Sequence, residues 1–350
     1  MTILDSVTLN LLPGVGPRRA AELRRREPLA EALARPDDHA DLLPAEARDE
    51  LRSGRARRRA EAELKEAARQ GLRVVGLDEA EYPAWLKQIY DAPPVLYARG
   101  DLVADEGARS VAVVGARAAS AAGGALARRM ARELAAAGAT IVSGLARGID
   151  SEAHRGALEA GGRTVAVLGS GLDRLYPPEN AALAAQIARR GAVVSEYPLG
   201  AEPRPEHFPR RNRVIAGWVR GVVVVEARQK SGALVTARCA VEAGRDVMAV
   251  PGHPSEGAYE GTNALLRDGA ILVRDAADVA QEFGIVIPVT SPASAPADDL
   301  LAALRPDAPV GLDELLARSG RSPGELLARL AEMELDARVR RLPGGLYIRT

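Results

Sequence analysis

Between about residues 105 and 285 the chain repeats one unit, a short continuous apolar run rich in β-branched residues followed by a longer helical pattern. The apolar runs fall at 111–115, 140–143, 164–169, 193–196, 222–226, 247–251 and 271–273. The helical patterns fall at 125–137, 149–160, 180–190, 214–219, 233–243 and 262–267. Runs that are apolar throughout, without polar alternation, belong to strands covered by helices on both faces. The pattern therefore predicts an α/β fold, an extended Rossmann-like doubly wound parallel sheet, with ligands expected beyond the carboxyl ends of the strands.

The flanks read differently. Short helices are expected over residues 5–60, around Leu11-Leu12-Pro13-Gly14-Val15-Gly16-Pro17. A Gly-x-Gly turn opening a helix resembles a helix–hairpin–helix element, whose backbone N–H groups can receive a DNA phosphate. It equally suits a tight turn between packed helices. A charged helix at 57–69 leads into a proline-punctuated stretch, from Tyr82-Pro83 to Pro93-Pro94-Val95-Leu96-Tyr97, which reads as a connector packed on the sheet. After Pro288 comes a Pro/Ala/Ser stretch, then three helical patterns at 300–304, 312–318 and 323–335, and a hairpin around Pro343-Gly344-Gly345. That is the layout of a winged helix. The expected division is a helical domain of the SAM or helix–hairpin–helix kind at 1–70, the Rossmann-like domain at 71–288, a linker at 289–297, and a winged-helix domain at 298–350.

Composition narrows the chemistry. The single cysteine, Cys239, excludes an intrachain disulfide and any Cys-cluster metal site. No apolar run approaches the ~18 residues of a membrane span, and Met1-Thr2-Ile3-Leu4-Asp5 lacks a signal-peptide layout. A cytoplasmic protein with no membrane partner is expected. The 47 Lys+Arg balance the 47 Asp+Glu, but not locally. Residues 204–238 carry +6, whereas residues 276–336 carry −7. In the last helical pattern Glu325, Glu332 and Glu334 face Arg329 alone, so the winged helix is expected to read a DNA groove poorly.

The first three strands of the repeat end in small residues: Gly115-Ala116-Arg117, Ser143-Gly144-Leu145-Ala146-Arg147-Gly148-Ile149-Asp150 and Gly169-Ser170-Gly171-Leu172-Asp173-Arg174. Small residues, helix N-termini and arginines together predict a crest that receives phosphates. No Gly-x-Gly-x-x-Gly fingerprint and no Walker A lysine is completed. Phe208-Pro209-Arg210-Arg211-Asn212-Arg213 sets three arginines beside one of only two phenylalanines, the pairing of cationic forks and an aromatic face that single-stranded nucleic acid requires. Lys230-Ser231-Gly232-Ala233 places another cation before a helix. The four histidines lie far apart and Cys239 sits among apolar neighbours, so neither an enzyme, nor a cofactor, nor a metal site is expected.

Taken in order, these motifs, together with Gly261-Thr262-Asn263, resemble the DprA/Smf family, DNA processing protein A, over residues 70–285. The resemblance implies a homodimer that binds single-stranded DNA independently of sequence, protects it, and loads RecA recombinase in natural transformation and recombination. It implies a DNA pocket formed by Gly115, Arg117, Ser143, Gly144, Arg147, Phe208, Arg211, Asn212, Arg213 and Lys230. Family members often carry a lysine shortly before the phenylalanine; here the stretch is Arg204-Pro205-Glu206-His207, with Arg204 as the candidate substitute. The alternative on the same kind of fold is a Rossmann-like nucleotide phosphoribohydrolase, whose Pro-Gly-Gly-x-Gly-Thr-x-x-Glu loop is replaced here by residues 230–236.

Overall fold

The computed structural model describes residues 2–287, 300, 304, 309–319, 322–336, 338–342 and 345–349. The chain forms two compact units, Met1–Pro288 and Val289–Thr350.

In the first unit the apolar runs form β3 (Ser110–Val114), β4 (Thr140–Ser143), β5 (Thr164–Leu168), β6 (Ala192–Ser195), β7 (Gly221–Val224), β8 (Asp246–Ala249) and β9 (Ile271–Leu272). All neighbouring pairs among these seven are parallel. The expected connector is itself part of the sheet. Its strands β1 (Arg73–Gly76) and β2 (Val95–Gly100) pair antiparallel with each other and, through β2, with β6. The full order is β1-β2-β6-β5-β4-β3-β7-β8-β9.

Consecutive strands run outward from β3 in one direction and from β7 in the other. The loops after β3 and β7 therefore part at a topological switch point, which opens a cleft. Both faces of the sheet are covered. Helices α10 (His207–Trp218) and α11 (Gly232–Glu242) lie over one face, where Ile215, Trp218 and Ala237 meet Ala112 and Val114. Helices α7 (Ala121–Ala136), α8 (Ile149–Glu159) and α13 (Ala276–Phe283) cover the other, packing Met130, Leu134, Ile149 and Phe283 on Val111 and Val113. Adjacent residues of β3 thus enter opposite cores, which is why its sequence shows no polar alternation.

The N-terminal helices α1 (Ile3–Leu11), α2 (Pro17–Arg26), α3 (Leu29–Ala34), α4 (Ala45–Arg52) and α5 (Arg55–Arg69) enclose a small core of their own, with Leu9, Leu23 and Leu43 fully buried. They are also fastened to the sheet. Val7, Ala60 and Ala67 share a core with Val95, Tyr97 and Ala166, and Asn10 donates to the carbonyl of Glu196 at 3.1 Å.

The second unit is built from β10 (Val310–Gly311), α14 (Leu312–Ser319), α15 (Pro323–Leu335), β11 (Val339–Leu342) and β12 (Leu346–Arg349). Its antiparallel sheet has the order β10-β12-β11, over a core that includes Leu315, Leu326, Leu330 and Tyr347. Helix, helix and hairpin form the winged-helix layout. The linker expected at 289–297 and the hairpin-tip residues Pro343 and Gly344 lie outside the described residues; of the helix expected at 300–304, only Leu300 and Leu304 are described. Among the described residues no helix is long and apolar enough to cross a membrane.

Candidate nucleic-acid interface

A cleft of about 810 Å³ lies at the carboxyl ends of the strands, where the loops after β3 and β7 part. Gly115, Arg117, Phe208, Arg211, Asn212 and Lys230 all line it. Gly144 and Arg147 line an adjoining hollow, together with Arg117, Tyr176 and Phe208. These residues divide into three physical roles that the sequence does not separate.

Arg211 is the first departure. It is buried, and its Nη1 donates to the carbonyls of Gly144, at 2.8 Å, and Val167, while Nε donates to Asn212 Oδ1 at 3.2 Å. A Cβ at position 144 would stand 2.6 Å from the guanidinium, so only glycine admits this contact. Burial lowers the Arg211 pKa to about 10, partly offset by Asp150. Arg211 therefore straps the ends of β4 and β5 together beneath the cleft floor. Asn212 donates to the carbonyl of Gly232 at 3.2 Å, and Ser143 donates to that of Val113 at 2.7 Å, so both are ties of the same kind. Arg213 points to the other side of α10, where it is ion-paired with Glu196 and, at 3.5 Å, with Asp91.

The expected phosphate crest is also largely filled by the chain's own acids. The buried Asp150 carboxylate accepts from the N–H groups of Gly144, at 3.1 Å, and Ala146, at 3.3 Å. Between them Leu145 holds φ 57, a left-handed conformation that a bulky side chain adopts only under firm constraint. Burial raises the Asp150 pKa, against the pull of Arg211. Likewise Glu226, fully buried at the end of β7, accepts from the backbone N–H of Ser120, at 2.9 Å, and from its hydroxyl, at the start of α7. The N-terminus of α7, where a Rossmann fold cradles a nucleotide phosphate, is thus occupied by protein.

What remains open is cationic and aromatic. Arg117 is exposed and lies over the Phe208 ring, 5.1 Å from its centroid. Phe208 rests on the backbone of Gly169, and Tyr176 stands 5.7 Å away, tilted by 50°. Tyr176 is 39% exposed and escaped the sequence reading because the following Pro177-Pro178 made it look like part of a turn. Arg228 and Lys230 are exposed where α11 begins, and a Cβ at Gly232 would meet nothing within 4 Å. Among the described residues Arg117, Arg228 and Lys230 have no carboxylate within ion-pair distance, whereas Arg147 is ion-paired with Glu179. Both members of that last pair are exposed, so an incoming phosphate can displace Glu179 cheaply.

Beneath the loop, burial and then the charge of Arg211 hold His154 down to about 3. An unfolded histidine titrates near 6.5. Below about pH 6.5 the unfolded chain therefore takes up a proton that the native state refuses, and stability falls as the pH drops toward 3. From pH 7 to pH 5 this costs about 2 kcal/mol. Urea unfolding at the two pH values should show His154→Gln with a shallower loss than the parent chain; equal losses would refute the assignment.

The matched family model is that of DNA recombination-mediator protein A, over residues 73–284. The chain belongs to this family. The model of the DprA winged helix domain matches residues 288–345. The chain is 38% identical to Protein Smf of Escherichia coli over 290 residues, which cover 79% of this chain and 77% of that one. It is 46% identical to the DNA processing protein DprA of Streptococcus pneumoniae over 202 residues, covering 58% and 71%. The X-ray structure of the Streptococcus pneumoniae protein superposes with a TM-score of 0.70 at 36% identity, covering 81% of this chain and 98% of that one. A second solved structure is that of DNA processing protein A from Helicobacter pylori, described for its single-stranded DNA binding mode. It matches with a TM-score of 0.55 at 30% identity, covering 60% and 94%. The DprA-family sheet of this chain carries the strand-end cleft just described. Among its described residues no group of three or more His, Cys, Asp or Glu side chains is placed to hold a metal ion.

Proposed function

We propose that the chain binds single-stranded DNA in the strand-end cleft, independently of sequence and without chemistry. The observation that carries this reading is the cluster of exposed Arg117, half-buried Phe208 and exposed Tyr176, sharing one cleft with Arg228 and Lys230. Guanidinium and ammonium groups without carboxylate partners take phosphates, and the rings take one or two bases. Gly115, Ser143, Gly144, Arg211 and Asn212 shape the floor, Arg147 and Lys230 stand at the rim, and Arg213 braces α10 from behind. The DNA-binding relative from Helicobacter pylori supports the substrate class.

With so few aromatic rings the grip is led by phosphates, and affinity falls steeply with salt, with a slope of about −0.7 per neutralised phosphate on a single strand. Fluorescence anisotropy over a salt series tests this. The double substitution Arg117→Ala/Lys230→Ala should weaken binding at least about tenfold and flatten the slope by about 1.4, with the melting temperature unchanged. Parental binding by the folded double variant would sink the assignment.

Protection of incoming single strands and loading of RecA recombinase, by a cytoplasmic homodimer acting in transformation and recombination, complete the proposal. Their support is membership in a family of recombination mediators. Strand exchange in the presence of single-stranded-DNA-binding protein, with and without this chain, tests the loading step; no acceleration would refute it. The nucleotide phosphoribohydrolase alternative finds little anchorage, because Glu226 and Asp150 sit on the backbone donors that a mononucleotide phosphate would need. Release of free base from a nucleoside monophosphate would revive it.

A further inference from the structure

The Gly14-Val15-Gly16-Pro17 turn has no part in the strand-end cleft. It lines a second cleft of about 770 Å³ on the opposite side of the first turn of α10, between α2 and the segment containing Tyr90. Pro209 lines both clefts, so the start of α10 is the ridge between them. Arg210, next to that ridge, reaches the turn directly: a Cβ at Gly16 would stand 2.9 Å from its Nη2. Any larger residue at 16 would displace the guanidinium.

Helix α2 contributes two more cations. Arg18 and Arg25 are seven residues apart, which is about two turns, and so share one face. Arg18 lines the cleft, and Arg25 lies 4.1 Å from the centroid of Tyr90, a ring that is 53% exposed. Their helical neighbours are neutralised, Arg24 by Asp78 and Arg26 by Asp41. Among the described residues Arg18, Arg25 and Arg210 have no such partner. Arg18 is also unfavourably placed, since it sits in the first turn of a helix that has no acid there, where the helix dipole disfavours a cation. Of the acids in the cleft, Asp91 is held by Arg213 and Glu242 stands on the wall formed by α11. A ring paired with an arginine, beside cations without partners, is the arrangement already seen at Arg117 and the half-buried Phe208, and at Tyr90 the ring is the more open of the two.

We propose that this second cleft is a further single-stranded nucleic-acid subsite. A phosphate is held between Arg210 and Arg18, and a base stacks on the Tyr90–Arg25 pair. A strand in the strand-end cleft reaches it by crossing the ridge at Pro209. This rests on the single-stranded DNA reading above and extends it from one cleft to a continuous track, in which the N-terminal helices bind DNA directly. Short strands then use one cleft and long strands use both.

The experiment is anisotropy with the full chain, using oligo-dT of roughly 5 and roughly 20 nucleotides. Tyr90→Ala/Arg18→Ala should leave the short oligonucleotide unaffected and weaken the long one about tenfold. The single change Arg18→Glu provides a control against misfolding. An acid in the first turn of α2 suits the dipole, so the melting temperature should hold or rise while long-strand affinity falls. A purely structural role would move both in the same direction. Unchanged long-strand binding by either folded variant overturns the subsite. If Arg117→Ala/Lys230→Ala weakens binding and these variants do not, the subsite fails alone; if none of them does, the single-strand reading fails with it. A loss confined to duplex DNA would also overturn the proposal.

Discussion

Replacing Arg211 with alanine should cost about 3–5 kcal/mol of folding stability, because it strands two buried carbonyls, takes a nearby cation away from the buried Asp150 and empties a large buried volume. It should do so whether or not DNA is present. The reason is geometric. The Arg211 guanidinium carries the carbonyls of Gly144 and Val167 and stands near the buried Asp150, and it is itself closed off from solvent. Its removal leaves two carbonyls without their donor, the Asp150 carboxylate without a nearby positive charge, and a cavity under the loop that Leu145 holds in a strained conformation. Arg211→Lys should recover little, because an ammonium cannot reproduce a planar fork that bonds two carbonyls and an amide. Urea unfolding measures the loss directly. A variant that retained parental stability and lost only DNA affinity would return Arg211 to the phosphate-binding role suggested by the family motif.

Helical phase already contained that answer. Arg211, Val214, Ile215 and Trp218 fall at i, i+3, i+4 and i+7, and all four are buried. An arginine on the apolar stripe of a helix points inward, whatever motif surrounds it. Counting charge by segment missed this, because a net +6 does not say which way each side chain faces. Arg211 and Arg213 are internal, and Arg220 bonds the carbonyl of Phe283, leaving Arg204, Arg210, Arg228, Lys230 and Arg238 exposed. The parallel strands were legible for the opposite reason. Burial on both faces leaves one residue chemistry available, and it appears as an unbroken apolar run. β1 and β2 were not legible, because Pro83, Pro93 and Pro94 punctuate the stretch between them and the half-exposed Arg73 and exposed Arg99 break their apolar pattern toward the sheet's edge. Nor could the sequence show that Asp150 and Glu226 would occupy the backbone donors of the strand-end loops, since both pairings depend on how the chain closes on itself.

Glu226 gives the sharpest test of that closure. Its carboxylate comes from the strand on one side of the switch point and caps the helix that follows the strand on the other, so it ties the two halves of the sheet together where the fold would otherwise open for a nucleotide. Glu226→Ala removes two hydrogen bonds to a charged group and a favourable interaction with the N-terminus of α7, an expected loss of about 3 kcal/mol. Glu226→Gln should lose less, because the amide keeps its volume and one acceptor oxygen but no charge. The decisive comparison uses Gly123, whose Cβ would overlap the Glu226 carboxylate. Gly123→Ala alone should be strongly destabilising. In Gly123→Ala/Glu226→Ala the methyl group enters space that the carboxylate has vacated, so the double variant should be more stable than the sum of the single losses predicts by at least about 1 kcal/mol. Strict additivity in urea unfolding would mean that Glu226 does not occupy the first turn of α7, and would reopen the switch point to a bound phosphate.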